Sequence, residues 1–458
     1  MKINFRKDKE LYKRIGVLTL PIILQNIIDA AVNSADVLML NYVGQSAISA
    51  TSLATYYANL CFMFLYGIGT GVSMLAAQYW GKKDKKTVEA VSGIGLRFAL
   101  IIAVMFMAFT LLAPQTAMKI FTSDPELIAL GSRYLVYSSP AIICWSISFV
   151  YMSILRSIGK TGIATVLEAI ALVLNVSLNA VFIFGLFGVP KLGVTGVAIA
   201  TAISRFTQLV ACIAVAKFNK ECVGMGFMTM FERHKALNRD FFTMALPAIG
   251  NDVAWSTAFS MYGVILGHLG TDAVAANSIV NVVRNLGTVF CYGIGSASGI
   301  IVGQILGEDN IEEAKRVGRI LLRLSVMAGI VGGLIVFAVR PFALATAHLT
   351  PTSLDYLSFM LLINTYYITG TAVNTTLIAG IFRAGGDSKF GFICDTIDMW
   401  VYAVPLGLLA AFVFKLPVKW VYFLLCTDEF VKWPWVFKNF YSYKWAKNIT
   451  RDNIDQIQ

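Results

Sequence analysis

Gln25, Asp29, Asn33 and Asp36 lie in one apolar stretch at intervals of four, four and three, which on an α-helix places all four on one face. A carboxylate on such a face, set among amides inside an apolar run, can bind and release a small cation. Its charge is costly there, and either a proton or Na⁺ neutralises it. A second stripe, Glu168, Asn175 and Asn179, has intervals of seven and four, and Thr201 and Arg205 stand one turn apart in the next run. Both stripes are expected to point inward and line a wet cavity. The competing reading is that the amides are hydrogen bonds holding helices together; an acid suits that task poorly, which singles out Asp36. Pro21 removes a backbone hydrogen bond, so a bend there could couple the state of Asp36 to helix shape. A first-turn proline that bends nothing is the alternative. The second half of the chain reads as poorer in buried acids. It offers Asp252 with Ser256 and Ser260 on one face, then the neutral Asn364, Thr371 and Asn374. Asp395, Asp398, Asp428, Glu429 and Lys432 fall near predicted helix ends, where snorkelling or salt bridging at a membrane face is the expected role.

The composition says what carries these faces. Of 458 residues 57% are apolar and 14% are charged, against roughly 25% charged in an average soluble protein, and mean hydropathy is +0.71. A helix needs about 20 mainly apolar residues to cross a ~30 Å hydrocarbon layer, so the chain reads as an all-α polytopic membrane protein. The apolar runs are continuous, residues 99–113 among them, which excludes the alternating strands of a transmembrane barrel. The pattern predicts twelve helices, over 15–40, 46–80, 88–114, 127–155, 162–187, 193–217, 242–266, 272–304, 313–340, 352–383, 390–414 and 416–437. The formal net charge is +11, and 28 of the 37 Lys and Arg fall in the N-terminus, the even-numbered loops and the C-terminal tail. Lys119, Arg133, Lys191, Arg340, Lys415 and Lys419 lie on the opposite side, and Arg97, Arg205 and Arg284 lie inside spans. The positive-inside rule then puts both termini in the cytoplasm and the protein in the cell membrane. The basic charge is thus a topology signal with an attraction to anionic lipid, and no nucleic-acid partner is expected. The basic start leads into a long, polar-interrupted helix with no clear small-residue cleavage site, unlike a secretory signal.

The chain repeats itself at one fixed offset. Leu20 and Pro21 fall on Leu246 and Pro247; Gly44, Ala47, Ala50 and Ser52 fall on Gly270, Ala273, Ala276 and Ser278. The run Tyr66 to Gly69 falls on Tyr292 to Gly295, Gln78 on Gln304 and Gly81 on Gly307, and after a one-residue slip Arg156 and Gly159 match Arg383 and Gly386. Six helices return the chain to its starting side, so the two repeats are parallel, and such pairs place a site at their interface. The expected organisation is a cytoplasmic N-terminus (1–14), an N-lobe (15–217), a basic cytoplasmic linker (218–241), a C-lobe (242–437) and a cytoplasmic tail (438–458). The tail reads as an interfacial segment fading into disorder.

Seven scattered cysteines without a CxxC pair read as small apolar residues. His234, His268 and His348 sit singly and give no metal-site spacing. The glycines at 67, 69, 71, 293, 295 and 299 follow no strand, which removes a dinucleotide loop and leaves close helix packing. There is no Walker motif, HExxH or GxSxG, so neither an enzyme nor a cofactor is expected and any energy must come from an ion gradient.

Taken together, LTLPIILQ and ADVLMLNYVG in the first helix, YGIGTGVSMLAAQYWGKKD, LRSIGKT, NVSLNAVFIFG, GVTGVAIATAISR, ALPAIG and FRAGGDSK resemble the multidrug and toxic compound extrusion (MATE) transporters in order and spacing, from about Lys13 to Trp445. The resemblance implies twelve helices in two lobes around a central cavity, and export of organic, often cationic, compounds against inward flow of Na⁺ or H⁺. It places Asp36 at the functional first-helix aspartate, and Asn175, Asn179 and Thr201 at positions that join it in an N-lobe cation site. Some members carry an acid at the position of Asn179; others rely on C-lobe acids where this chain has Trp255 and Thr371, with Asp252 about one turn away.

The reading is a secondary antiporter. H⁺ or Na⁺, with no metal beyond Na⁺ at Asp36, occupies Asp36 and its neighbours. Gln25, Asp29, Asn33, Glu168 and Asp252 line or gate the substrate cavity, and the lobes rock between two states. Its partners are a small organic substrate and the lipid bilayer, and a monomer is expected. The alternative is a flippase for a lipid-linked precursor, which Arg97, Arg205 and Arg284 would serve as cationic groups.

Overall fold

The computed structural model describes residues 5–40, 42–232, 234–347 and 349–451. The side chains of residues 5–8, 29–38 and 45 fall outside that description, as does His348. The chain is a membrane protein of helices alone; among the described residues there is no strand. The helices are α1 (Phe5–Leu40), α2 (Gln45–Gly81), α3 (Lys85–Leu112), α4 (Pro125–Ser157), α5 (Thr161–Phe184), α6 (Gly193–Phe218), α7 (Lys235–His268), α8 (Thr271–Gly307) and α9 (Ile311–Thr346). Next come α10 (Pro351–Asn374, running on through Thr375–Phe382) and α11, which runs from Ser388–Thr396 through Ile397–Ala403 and Val404–Leu408 to Leu409–Val413. Wide π-type turns occupy 375–382, 397–403 and 409–413 of these two. The twelfth row, α12, is broken into Val418–Leu425, Asp428–Val431 and Trp433–Ser442.

Among the described residues twelve long helical rows match the twelve predicted spans, two of them starting earlier by more than a turn. The first extends back to Phe5 and the seventh to Lys235, because nothing in either basic leader breaks a helix. Among the described residues nine rows are apolar and long enough to cross a membrane by length and composition. The three that fall short are α7, α10 and the broken α12, and these three hold most of the polar groups of the second half.

The two repeats are visible in backbone geometry. Asp84 caps α3 by accepting from the Thr87 amide (3.1 Å), and its equivalent in the second repeat, Asn310, caps α9 by accepting from that of Glu313 (3.1 Å). The residue before each cap, Lys83 and Asp309, takes a left-handed conformation at φ 65° and 60°. Asp124 followed by Pro125 starts α4, and Thr350 followed by Pro351 starts α10, with side-chain oxygens that satisfy first-turn amides. Gly159 and Gly386 turn the chain at φ 85° and 80°, values that an L side chain rarely adopts. A shared sequence offset has therefore become a shared set of turns and caps.

Two compact units form. One holds Leu24–Ala76 and Lys83–Phe241; the other holds Ala77–Lys82 and Phe242–Arg451, with the described residues up to Ile23. In the first unit the basic segment after α6 is packed down rather than free. Ser92 donates to the Met225 carbonyl (2.8 Å), Tyr151 to that of Val223 (3.1 Å), and Arg97 to those of Met230 and Glu232 (both 2.6 Å).

In the second unit Leu11, Ile15 and Leu18 join a core with Ile301, Leu377 and Phe382. The tail corrects an expectation. It does not fade after residue 438: Trp445 is fully buried, and Gln78 holds the Ala384 and Lys447 carbonyls (2.7 and 3.1 Å) and the Ile449 amide (2.8 Å). Its last aromatic residue is core, not interface.

Candidate functional site

In the first unit the predicted stripes fall on facing helices. Asn179 of α5 donates from Nδ2 to Asn175 Oδ1 (3.3 Å), one turn away, and Asn175 donates from its own Nδ2 to Thr201 Oγ1 on α6 (3.3 Å). Asn175 and Asn179 are buried, and both bonds are at the long end of hydrogen-bond geometry. The helical period puts the two amides in line, and the α5–α6 pairing brings Thr201 to them. Glu168, two turns before Asn175, stands in drier surroundings than the expected wet cavity. It is 6% exposed and accepts from Arg205 Nη1 (2.8 Å) and Gln208 Nε2 (2.6 Å), while Arg205 also reaches Gln208 Oε1 (2.9 Å). Each of its oxygens thus accepts one strong hydrogen bond within a closed triad.

Gln25 is half-buried in α1. Asp29, Asn33 and Asp36 lie on helical backbone, but their side chains are outside the described residues. Pro21 lies well inside α1, so it is not a first-turn proline, and its ring denies the helix one backbone bond. The division between the two compact units falls just after it, between Ile23 and Leu24.

The second unit is not poor in buried acids, and the residues assigned to a membrane face are its core. Asp395, Asp398, Asp428, Glu429 and Lys432 are between 0% and 7% exposed. Lys432 Nζ lies 3.1 Å from Asp395, 3.4 Å from Glu429 and 3.5 Å from Asp398. Asp428 instead accepts from the hydroxyls of Tyr262 (2.9 Å) and Tyr367 (3.4 Å), and Asn374 donates to the Glu429 carboxylate and to its carbonyl (2.7 Å). Asn251 joins this group to a second ion pair: it donates to Asp395 (2.7 Å) and accepts from Arg383 Nη2 (2.7 Å), which also holds Asp252 (2.6 Å). Asp252 is thus the more open end of a network, its side chain 28% exposed. The salt bridging expected of these groups is present at Lys432, but snorkelling is not, because α12 breaks and continues to Ser442, which carries 428–432 away from the end of the row. One sequence signal was the spacing of Asp428, Glu429 and Lys432 with Asp395 and Asp398, four acids and a lysine in apolar surroundings.

The MatE family model matches the chain twice, over residues 21–181 and 247–409, and the two matches start at Pro21 and Pro247, which the internal repeat aligns. A Bacillus subtilis (strain 168) protein named "Probable multidrug resistance protein YoeA" is 24% identical over 431 residues, covering 92% of this chain and 91% of that one. A Rhizobium meliloti (strain 1021) protein named "Probable multidrug resistance protein NorM" is 25% identical over 407 residues, 88% of this chain and 86% of the relative. A solved structure described as "Outward-facing conformation of a multidrug resistance MATE family transporter of the MOP superfamily" superposes with a TM-score of 0.85 at 19% identity, covering 94% of this chain and 96% of that one. A model matched twice at the repeat spacing, over most of the chain, agrees with the duplicated caps and turns: this chain belongs to the MatE family.

Proposed function

We propose that the protein is a secondary antiporter that exports small organic compounds, including amphiphilic cations, in exchange for an inward-moving cation. The N-lobe (15–217) and C-lobe (242–437) are its two moving parts, and Asp36 is its N-lobe coupling residue. The observation that carries this reading is the buried chain Asn179, Asn175 and Thr201 across α5 and α6. Three neutral groups in series, at long bond distances, are a ready set of oxygen ligands for a cation neutralised by a carboxylate. The multidrug names of the relatives support the substrate class. Coupling requires that cation and substrate favour different states of the same protein, and Pro21, inside α1, gives that helix a place to bend between them.

The flippase reading rests on three cations within spans. Arg205 is taken by Glu168, Arg97 by backbone carbonyls of the segment after α6 and Arg284 by the Phe259 ring, 4.3 Å from its centroid, so all three have structural partners.

The test is transport in liposomes. With an imposed cation gradient, wild-type protein should accumulate a fluorescent organic cation such as ethidium against its gradient. Asp36→Asn should reduce accumulation to the level reached without a gradient. Full coupling in Asp36→Asn would remove Asp36 from the mechanism.

A further inference from the structure

The network of the second unit has more negative groups than its cations can balance. Arg383 pairs with Asp252. That leaves Asp395, Asp398, Asp428 and Glu429 around one ammonium, Lys432, with none of the five more than 7% exposed. Each uncompensated charge inside the membrane costs several kcal/mol, so the group is stable only if further positive charge joins it. The hydrogen bonds show where. Neither oxygen of Asp398, nor Oδ1 of Asp428, nor the amide Oδ1 of the 4%-exposed Asn374 receives a hydrogen bond, and buried acceptors are seldom left so. The two carboxylates and the amide come from three different helices.

Beside this group lies a cavity of about 210 Å³, room for several waters at ~30 Å³ each. Tyr262 and Tyr367 form part of its wall and turn their hydroxyls to Asp428 on the other side. A hydroxyl that donates to a carboxylate can also accept, so each tyrosine can pass a proton from cavity to acid. Facing the acids are Asn251 and Tyr262 from α7, Tyr367, Thr371 and Asn374 from α10, Cys394 from α11 and Cys426 from α12, with Arg284 of α8 and Cys426 also on the cavity wall. The missing positive charge is a proton and not a metal ion. Among the described residues no three acid, thiol or imidazole groups converge as metal ligands, and the ammonium at the centre would repel a second cation.

We propose that this network is a proton-carrying site, in which Asp398 and Asp428 take up and release protons, those of Asp428 passing to and from the cavity through Tyr262 and Tyr367. The proposal rests on the antiporter reading and gives it a proton site separate from Asp36. A hydronium in the cavity gives its proton to a tyrosine hydroxyl as that hydroxyl's own proton passes to Asp428, leaving water behind, and the reverse exchange returns the proton to a cavity water.

The experiment is infrared difference spectroscopy of the full-length protein in lipid, stepped between acid and alkaline pH without substrate. Wild type should show a protonated-carboxyl stretch that is lost on the alkaline side. Asp398→Asn/Asp428→Asn should remove most of that pH-dependent band, and Asp36→Asn should keep the larger part. Tyr262→Phe/Tyr367→Phe leaves every carboxyl in place and should keep the band but slow its response to a pH jump at least tenfold. A double Asn variant with the wild-type band, or a double Phe variant with the wild-type rate, overturns the proposal. Asp36→Asn that abolishes coupled transport while both of those results hold would leave the antiporter reading intact and this inference lost.

Discussion

Glu168 and Arg205 show at the scale of single residues how a polar stripe is read correctly and assigned too broadly. The seven-and-four spacing of Glu168, Asn175 and Asn179 was legible because an α-helix has one period, and all three share a face in the structure. What lies opposite that face was not legible. Asn175 meets a hydroxyl at 3.3 Å, whereas Glu168 meets a guanidinium and an amide at 2.8 and 2.6 Å, so the same stripe has an adaptable end and a locked end. Removing one partner of a buried ion pair strands the other and costs about 3 to 5 kcal/mol. Glu168→Ala is therefore expected to lower thermal stability in detergent by that order, while Glu168→Gln, which keeps the volume and one acceptor oxygen for Arg205 but turns an N–H₂ toward Gln208, should lose less. Equal losses in the two variants would mean that the charge carries the whole contribution of Glu168 and that its packing and neutral hydrogen bonding add little.

At the scale of elements the misjudged piece is the twelfth helix and the tail behind it. An apolar window ending at 437 made Asp428, Glu429 and Lys432 look like groups at a membrane face. The chain instead breaks twice, packs Phe440 and Trp445 face to face at 5.8 Å between ring centroids, and buries both. Windowed apolarity cannot see this, because the network draws on four helices far apart in the chain, from Asn251 on α7 to Lys432 on α12, and each contributes only one to three polar groups. The helices too polar to register as spans were the signal, since a helix inside a membrane protein tolerates such groups only against other protein. Trp445→Ala deletes a fully buried indole and should cost about 3 to 5 kcal/mol, measurable as a lower melting temperature of the purified protein. A tail that were merely interfacial would give no change.

At the scale of the whole molecule the duplication was the most legible feature, and for a physical reason. A turn that needs a left-handed residue, a capping oxygen or a proline in a first helical turn restricts the sequence locally, so both copies kept those positions. Lys83 and Asp309, Asp84 and Asn310, Asp124 and Thr350 are pairs of this kind. The coupling ion is not written in such constraints. In the proposed mechanism it depends on the neutralisation of a few acids, Asp36 in the first repeat and the Asp398 and Asp428 network in the second, and the second of these groups assembles only in the fold. The most direct test is transport by the reconstituted wild-type protein under separately imposed gradients. A pH gradient alone, acid on the side that receives the substrate, should drive the organic cation to that side and alkalinise it in step. Export that follows no imposed cation gradient, of protons or of Na⁺, would contradict the account.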